Sequence, residues 1–135
     1  MDPSDASSDP QSPNLAGVRI LVVEDSWQLG TAVTDLLQDL GAQVIGPAAT
    51  GADARRLASG ERPDAAFVDF HLRAGELADG LVDWLYEQGI HVVVITGYAV
   101  LPATPRHPVV ILQKPLSEAA LVGSLSPVLA RKAPR

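Results

Sequence analysis

The nine residues VRILVVEDS, from Val18 to Ser26, change abruptly from apolar to acidic and polar side chains. A short, mainly apolar run such as VRILVV is typical of a strand that is buried on both faces, as in a parallel sheet covered by helices. Glu24 and Asp25 follow the run, and Ser26 is a suitable N-cap for a helix. Apolar residues then recur at helical spacing up to Gly41, a residue type that commonly ends helices. This stretch therefore predicts a buried strand followed directly by an amphipathic helix.

The rest of the chain repeats this alternation of strand and helix. Further strands are predicted at residues 43–45, 65–68, 90–95 and 109–112. A short helix opens at Thr50 or Gly51 and stops by Gly60, and a third helix carries its inner face on residues 81–85. The last helix begins near Ser117, and Pro127 should kink or interrupt it.

The segment between the fourth and fifth strands is unusual because it is rich in proline. Pro102, Pro105 and Pro108 follow one another closely, and proline removes a helical hydrogen bond and clashes with the preceding turn. The sequence therefore predicts a shortened fourth helix. The fold class that follows is α/β: a flavodoxin-like, doubly wound parallel sheet of five strands in the order 2-1-3-4-5.

The two ends of the chain differ in composition from its middle. The first 16 residues are rich in Ser, Asp and Pro without apolar periodicity, which is typical of a disordered tail. We therefore expect a tail at residues 1–16, one domain at 17–131 and a short tail at 132–135. A chain of 135 residues is about one domain long.

Composition excludes several classes of function. The formal charge of −6 argues against nucleic acid as the main partner, because binding a duplex requires a cationic surface. The chain has no cysteine, so thiolate zinc sites and thiol nucleophiles are excluded. The N-terminal residues lack the basic start and apolar stretch of a secretion signal, and no apolar run is long enough to span a bilayer. We expect a cytoplasmic protein without a membrane partner.

Polar residues follow the predicted strands where each one ends. These residues are Glu24 and Asp25 after the first strand, Asp69 after the third, Thr96 after the fourth and Lys114 after the fifth. The carboxyl ends of parallel strands meet at one edge of a sheet, and ligands bind there where the strand order reverses. Three crowded carboxylates repel one another, which favours a raised pKa or a bound cation. Mg²⁺ fits because it prefers oxygen ligands and accepts a phosphate oxygen.

Each of these residues also has a simpler explanation when it is considered alone. Glu24 and Asp25 could be a solvated turn that favours the helix dipole, Asp69 could cap a strand end, and Lys114 could be a surface lysine before a turn. Five matches at the ends of four strands have one economical cause, which is a shared site. A carboxylate attacks a phosphoryl donor only where positive charge and donors are supplied, and Lys114 and Thr96 can supply them.

Four short blocks of this sequence resemble the conserved blocks of response-regulator receiver domains of two-component signalling. The blocks are VVEDS at 22–26, VDFHL at 68–72, ITG at 95–97 and QKP at 113–115, and the resemblance extends from Val18 to Leu129. It implies that a histidine kinase or a histidine phosphotransfer protein donates a phosphoryl group to Asp69 as part of a switch or phosphorelay. A downstream protein partner is implied as well.

The resemblance also implies a role for each site residue. Asp69 is the phosphoacceptor, Thr96 is the switch hydroxyl, and Lys114 pairs with the phosphoryl group. The implied magnesium ligands are Glu24, Asp25, Asp69 and the backbone carbonyl of His71. The peptide bond from Lys114 to Pro115 is implied to be cis.

The sequence departs from the family's pattern at one switch position and in the shortened fourth helix. Ile111 stands three residues before Lys114, where switch-type receivers usually carry Tyr or Phe, and Tyr98 is a possible substitute. The Thr-Gly-Tyr run at 96–98, the proline-rich segment and the QKP block are together similar to a subgroup of single-domain regulators that serve alphaproteobacterial stress signalling.

Other functions remain open at this point. The departures at Ile111 and in the fourth helix favour a second hypothesis, a binding adaptor that keeps the fold but signals without phosphorylation. A flavin- or nucleotide-binding protein is disfavoured, because no glycine-rich turn joins the first strand to its helix. We expect no enzyme in the usual sense, only a phosphoacceptor that catalyses its own phosphorylation and dephosphorylation.

Overall fold

A computed structural model describes residues 15–70, 79–97 and 107–132 of the chain. Five strands and five helices occupy these residues. The strands are β1 (Arg19–Val23), β2 (Gln43–Ala48), β3 (Ala65–Asp69), β4 (His91–Thr96) and β5 (Val110–Gln113), and the helices are α1 (Trp27–Asp39), α2 (Gly51–Glu61), α3 (Asp79–Glu87), α4 (Glu118–Ser124) and α5 (Ser126–Lys132).

All five strands form one parallel sheet in the order β2-β1-β3-β4-β5, which is the predicted flavodoxin-like order. The chain goes out from β1 to the edge strand β2 and then returns past β1 to β3. The strand order therefore reverses between β1 and β3, whose carboxyl ends lie side by side. In sheets of this kind, that reversal creates the crevice where ligands bind.

Helices begin where the sequence provides a capping hydroxyl. Ser26 accepts a hydrogen bond from the backbone N–H of Leu29 at the start of α1 (3.3 Å). Thr50 and Ser117 cap α2 and α4 in the same way, at 3.2 and 3.1 Å. The last predicted helix is divided at Leu125, and Pro127 lies in the first turn of α5, where a missing N–H does not cost a helical hydrogen bond.

The core consists of two clusters, one on each face of the sheet. The first packs the sheet against α2 and α3, and the second packs it against α1, α4 and α5. Phe67 and Val68 are adjacent in β3 but belong to opposite clusters, as expected for a strand covered on both faces. Fully burying a Leu, Val or Phe side chain stabilises a protein by about 1.5–3 kcal/mol, so these clusters hold the polar edge of the sheet in place.

The strand β2 is longer than its sequence pattern predicts. The apolar pattern predicts an end at Ile45, whereas β2 continues through Gly46 and Pro47 to Ala48. The register explains the difference: Leu21 lies opposite Ile45, but Val23 lies opposite Ala48, so β2 carries one extra residue. Such a bulge allows a strand to continue through glycine and proline. The alternating pattern of a regular strand does not predict this continuation.

Some predictions fall outside the described residues. The shortened fourth helix belongs to the segment 98–106, and His71 and Tyr98 also lie outside. The predicted domain boundaries stay predictions; within the described part, Leu15 is buried and donates its backbone N–H to the carbonyl of Leu40 (2.7 Å). Among the described helices, none is both long and apolar enough to cross a membrane.

Candidate functional site

The carboxyl ends of four strands deliver the polar residues of the candidate site. Glu24 follows β1, Asp69 and Thr96 are the last residues of β3 and β4, and Lys114 follows β5. Backbone hydrogen bonds continue across the sheet beyond the regular pairing. The N–H of Lys114 donates to the carbonyl of Thr96 (2.7 Å), and the N–H of Phe70 donates to the carbonyl of Ile95 (2.8 Å). These bonds fix the backbone from which the site residues project.

Three carboxylates lie together at this edge. One oxygen from each of Glu24, Asp25 and Asp69 lies within 4.8 Å of the others. Only 6% of Glu24 and 7% of Asp69 is exposed, while Asp25 is partly exposed. The cluster is therefore sheltered on the side of the sheet and open at Asp25.

A single lysine side chain faces two of these acids. The Nζ atom of Lys114 lies 3.7 Å from Oε1 of Glu24 and 3.6 Å from Oδ2 of Asp69. Counting the described residues alone, one ammonium group beside three carboxylates leaves the cluster with excess negative charge when all of the acids are ionised. Because the acids are largely removed from water, that excess is expensive unless a proton or a cation offsets it.

The protonation of Glu24 reflects this imbalance. Burial, followed by the hydrogen bond with Asp69 and the negative charge of Asp69, raises the pKa of Glu24 from 4.5 to about 7. The backbone N–H of Ser26 and the ammonium of Lys114 act in the opposite direction but do not offset the rise. Near neutral pH, a proton and a metal ion would compete for this carboxylate.

The geometry suits a small divalent cation. In an octahedral Mg²⁺ site with bonds of about 2.1 Å, neighbouring ligand oxygens are about 3 Å apart and opposite ones about 4 Å apart. The three carboxylate oxygens all lie within 4.8 Å of one another and would draw closer around the ion to reach these spacings. Oxygen is also the ligand type that Mg²⁺ prefers. Glu24, Asp25 and Asp69 therefore fit the ion that their sequence positions predict.

The structure places the remaining predicted residues as follows. Thr96 is almost completely buried at the end of β4, and the Lys114–Pro115 peptide bond is cis. Ile111 lies on β5 opposite Val94 of β4, and 45% of its surface is exposed. His71 and Tyr98 lie outside the described residues.

One contributor to the site was not identified from the sequence. The backbone N–H of Ser26 donates to Oε2 of Glu24 (3.1 Å), so Ser26 orients this carboxylate in addition to capping α1. The capping role is visible in the residue type. The second role is not, because it depends on the turn between β1 and α1 bringing a backbone donor back toward the side chain.

No protein-family model and no curated protein sequence matches this chain. Solved structures do match it. The response regulator PhyR from Brucella abortus has a TM-score of 0.74 and 20% identity over 94% of this chain, and the match spans 57% of that protein. The chain thus corresponds to little more than half the length of that relative.

Two shorter structures match over most of their own length. SdrG from Sphingomonas melonis Fr1 has a TM-score of 0.72 and 28% identity, with 83% of this chain and 96% of SdrG covered. A CheY-like response-regulator receiver domain from Methylobacillus flagellatus has a TM-score of 0.67 and 26% identity, with 84% and 97% covered.

Proposed function

Because this chain has the fold of response-regulator receiver domains, we propose that it accepts a phosphoryl group on Asp69 from a histidine kinase or a histidine phosphotransfer protein. The coarser conclusion, a response-regulator-like role in signalling, follows from the fold. The observation that supports the finer proposal is the contact of 3.6 Å between Asp69 and Lys114 beside the Glu24 and Asp25 carboxylates.

In the proposed reaction, a carboxylate oxygen of Asp69 attacks the phosphorus atom of a phosphohistidine. An O–P bond forms, the N–P bond breaks, and its electron pair stays on the leaving imidazole. The Lys114 ammonium and the Thr96 hydroxyl offset negative charge on the transferring oxygens, and Glu24 and Asp25 would hold Mg²⁺ together with Asp69. When bound, Mg²⁺ supplies further positive charge to those oxygens.

An exposed tryptophan and an apolar groove lie near the proposed site. Trp27, in the first turn of α1, has 78% of its surface exposed. An apolar groove of about 310 Å³ runs between α1 and the start of α4, and Lys114, Pro115 and Leu116 line one side. Because Lys114 lines both the groove and the acid cluster, a protein that brings phosphohistidine to Asp69 would lie against this surface.

A substitution of Trp27 should distinguish phosphoryl donors that are proteins from donors that are small molecules. Trp27→Ala should slow phosphorylation by a histidine-containing protein about tenfold, since exposed tryptophans at interfaces are frequent sites of strong binding. Phosphorylation by acetyl phosphate, which needs no protein surface, should be unchanged. An equal loss with both donors would place the effect of Trp27 inside the reaction site and not at an interface.

The direct test is the mass of the intact protein after incubation with Mg²⁺ and acetyl phosphate. We expect a gain of one phosphoryl group in the native chain and none in Asp69→Asn. Asp53→Asn is a matched control, because Asp53 is an exposed aspartate that pairs only weakly with Arg56 (3.5 Å) in α2. Equal labelling of Asp69→Asn and the native chain would refute the proposal.

The exposed Ile111 supports a second candidate function, an adaptor that binds a protein without phosphorylation. An aliphatic side chain cannot rotate as the aromatic residue of a switch does. A tight partner complex that forms equally well with Asp69→Asn would favour this function over the first. The cytoplasmic location and the absence of other enzymatic activity remain part of the proposal.

A further inference from the structure

The bulge in β2 depends on a glycine with an unusual backbone conformation. Gly46 has a φ of +97°, and a Cβ atom at this position would lie 2.8 Å from the backbone nitrogen of Ala48 and 2.9 Å from the carbonyl oxygen of Val22. Both neighbours are backbone atoms, which cannot move aside without shifting the strands. Gly46 therefore allows the extra residue, so that Gly46 and Pro47 of β2 together lie opposite Val22 of β1.

The bulge determines where the backbone of Glu24 is held. The N–H of Glu24 donates to the carbonyl of Ala48 (2.9 Å), the first residue after the bulge. Without the extra residue, the register that pairs Leu21 with Ile45 would continue and would place a different carbonyl opposite Glu24. The end of β1 is thus tied to the edge strand at the residue that enters the acid cluster.

The helix α1 approaches this bulge at Gly30. A Cβ atom on Gly30 would lie 3.3 Å from both Cβ and Cγ of Pro47 and 3.6 Å from Cβ of Glu24. Alanine in a helix is more favourable than glycine by about 0.5–1 kcal/mol, so Gly30 is not explained by the stability of α1. The space available between the helix and the bulge does explain it.

Two hydrogen bonds connect Gly30 to the carboxylate of Glu24. The N–H of Gly30 donates to the carbonyl of Ser26 (2.9 Å), and the N–H of Ser26 donates to Oε2 of Glu24 (3.1 Å). The position of the first turn of α1 therefore sets the position of the donor that orients Glu24. A side chain at position 30 would meet Pro47, so the absence of one in Gly30 allows this turn to lie close to the sheet.

We infer that the close approach of α1 at Gly30 to Pro47 positions the Glu24 carboxylate for binding a divalent cation. This inference rests on the proposed function, since the cation belongs to the same site. Gly30 and Pro47 are positioning residues, because neither one supplies a ligand atom. Sites of this kind require their groups to be held within about 0.5 Å, and the crowding that a methyl group would cause is of that order.

The test is an NMR titration of the protein with MgCl₂ alone, following backbone amide resonances, together with thermal unfolding without metal. For Gly30→Ala we expect a dissociation constant for Mg²⁺ that is raised three- to tenfold, with a melting temperature equal to or above that of the native chain. In the metal-free protein, the amide resonances of Ser26 and Glu24 should shift. Pro47→Ala removes side-chain atoms that face Gly30 instead of adding one, and it should also weaken Mg²⁺ binding.

Two other helical glycines provide matched controls. Within the described part of the chain, a Cβ atom on Gly60 in α2 or on Gly123 in α4 would have no neighbour within 4 Å, so Gly60→Ala and Gly123→Ala should leave Mg²⁺ binding unchanged. If Gly30→Ala binds Mg²⁺ like the native chain, or if the controls lose as much affinity, the positioning role is wrong. A native chain that binds no Mg²⁺ would instead contradict the proposed magnesium site itself.

Discussion

The two ends of the sheet each place a lysine against a carboxylate, but with opposite consequences. At the carboxyl end, Lys114 lies 3.6–3.7 Å from two buried acids in a cluster of three. At the amino end, Lys132 of α5 lies 3.3 Å from Asp64, which also accepts the backbone N–H of Arg19 (2.9 Å).

The amino end is balanced in charge. The Arg19 guanidinium faces Glu61 at 3.9 Å, so two cations meet two acids there, and all of these side chains are partly exposed. Among the described residues, the carboxyl end instead has one cation, Lys114, beside three acids. The same pairing of residue types therefore joins α5 to the sheet at one end and lies within a crowded acidic cluster at the other. This contrast separates a stabilising contact from a functional one.

The largest expected difference between the two ends concerns the phosphorylation rate. Lys114→Ala should slow phosphorylation of Asp69 by acetyl phosphate about a hundredfold, because loss of one preorganised donor costs about 3 kcal/mol in the transition state. Lys132→Ala should leave the rate unchanged, since its contact lies at the opposite end of the sheet. The measurement is the rate of mass gain in both variants at saturating Mg²⁺. Equal rates for the two variants would remove Lys114 from the reaction.

The second difference concerns pH. Because Glu24 must lose its proton to bind metal and its pKa is raised to about 7, Mg²⁺ affinity should fall about tenfold from pH 8 to pH 6. In the metal-free protein, a rise in pH has the opposite effect, because it reduces the stability that Glu24 contributes to the fold. Folding raises the pKa above 4.5, so the contribution of Glu24 to stability is fully present below pH 4.5 and is lost as the pH rises to about 7. Titration with Mg²⁺ at several pH values measures the change in affinity. In Glu24→Gln, this pH dependence of Mg²⁺ affinity should be lost.

The smallest expected difference is in the free energy of unfolding, which should change in opposite directions when an aspartate is replaced at each end of the sheet. In metal-free protein, Asp69→Asn should raise the free energy of unfolding by about 1 kcal/mol, because it relieves repulsion among buried carboxylates. Asp64→Asn should lower the free energy by about 1 kcal/mol, because it weakens a partly exposed ion pair and a hydrogen bond. Urea denaturation in EDTA measures both. The contrast fails if both variants are destabilised equally.

The sequence predicts the strands because most of them are short, mainly apolar runs, and three of the helices begin at a capping hydroxyl. Val18–Val23 and Ser26 illustrate the rule, as do Ser117 and Pro127 in the last two helices. The same logic brings Glu24, Asp25, Asp69 and Lys114 to one edge, since parallel strands share their carboxyl ends. The site residues were therefore accessible from the order of the strands alone.

The features that the sequence does not predict depend on the register between strands and on how closely separate segments of the chain pack together. The extension of β2 through Pro47 requires knowledge of which residue of β1 lies opposite Ala48. The hydrogen bond from Ser26 to Glu24 depends on the path of a turn, and the raised pKa of Glu24 depends on how much water the fold excludes. These properties arise from contacts between segments, which periodicity within a segment cannot specify.

The placement of Pro47 on β2 also affects how this molecule meets other copies of itself. β2 is an outer strand of the sheet, and outer strands can recruit a strand from another chain and so begin aggregation. Proline has no N–H to offer such a strand, and the bulge at Gly46 twists the edge away from a regular ladder. Pro47, which lies where α1 approaches the sheet, thus also makes the free edge of β2 a poor template for β-sheet growth.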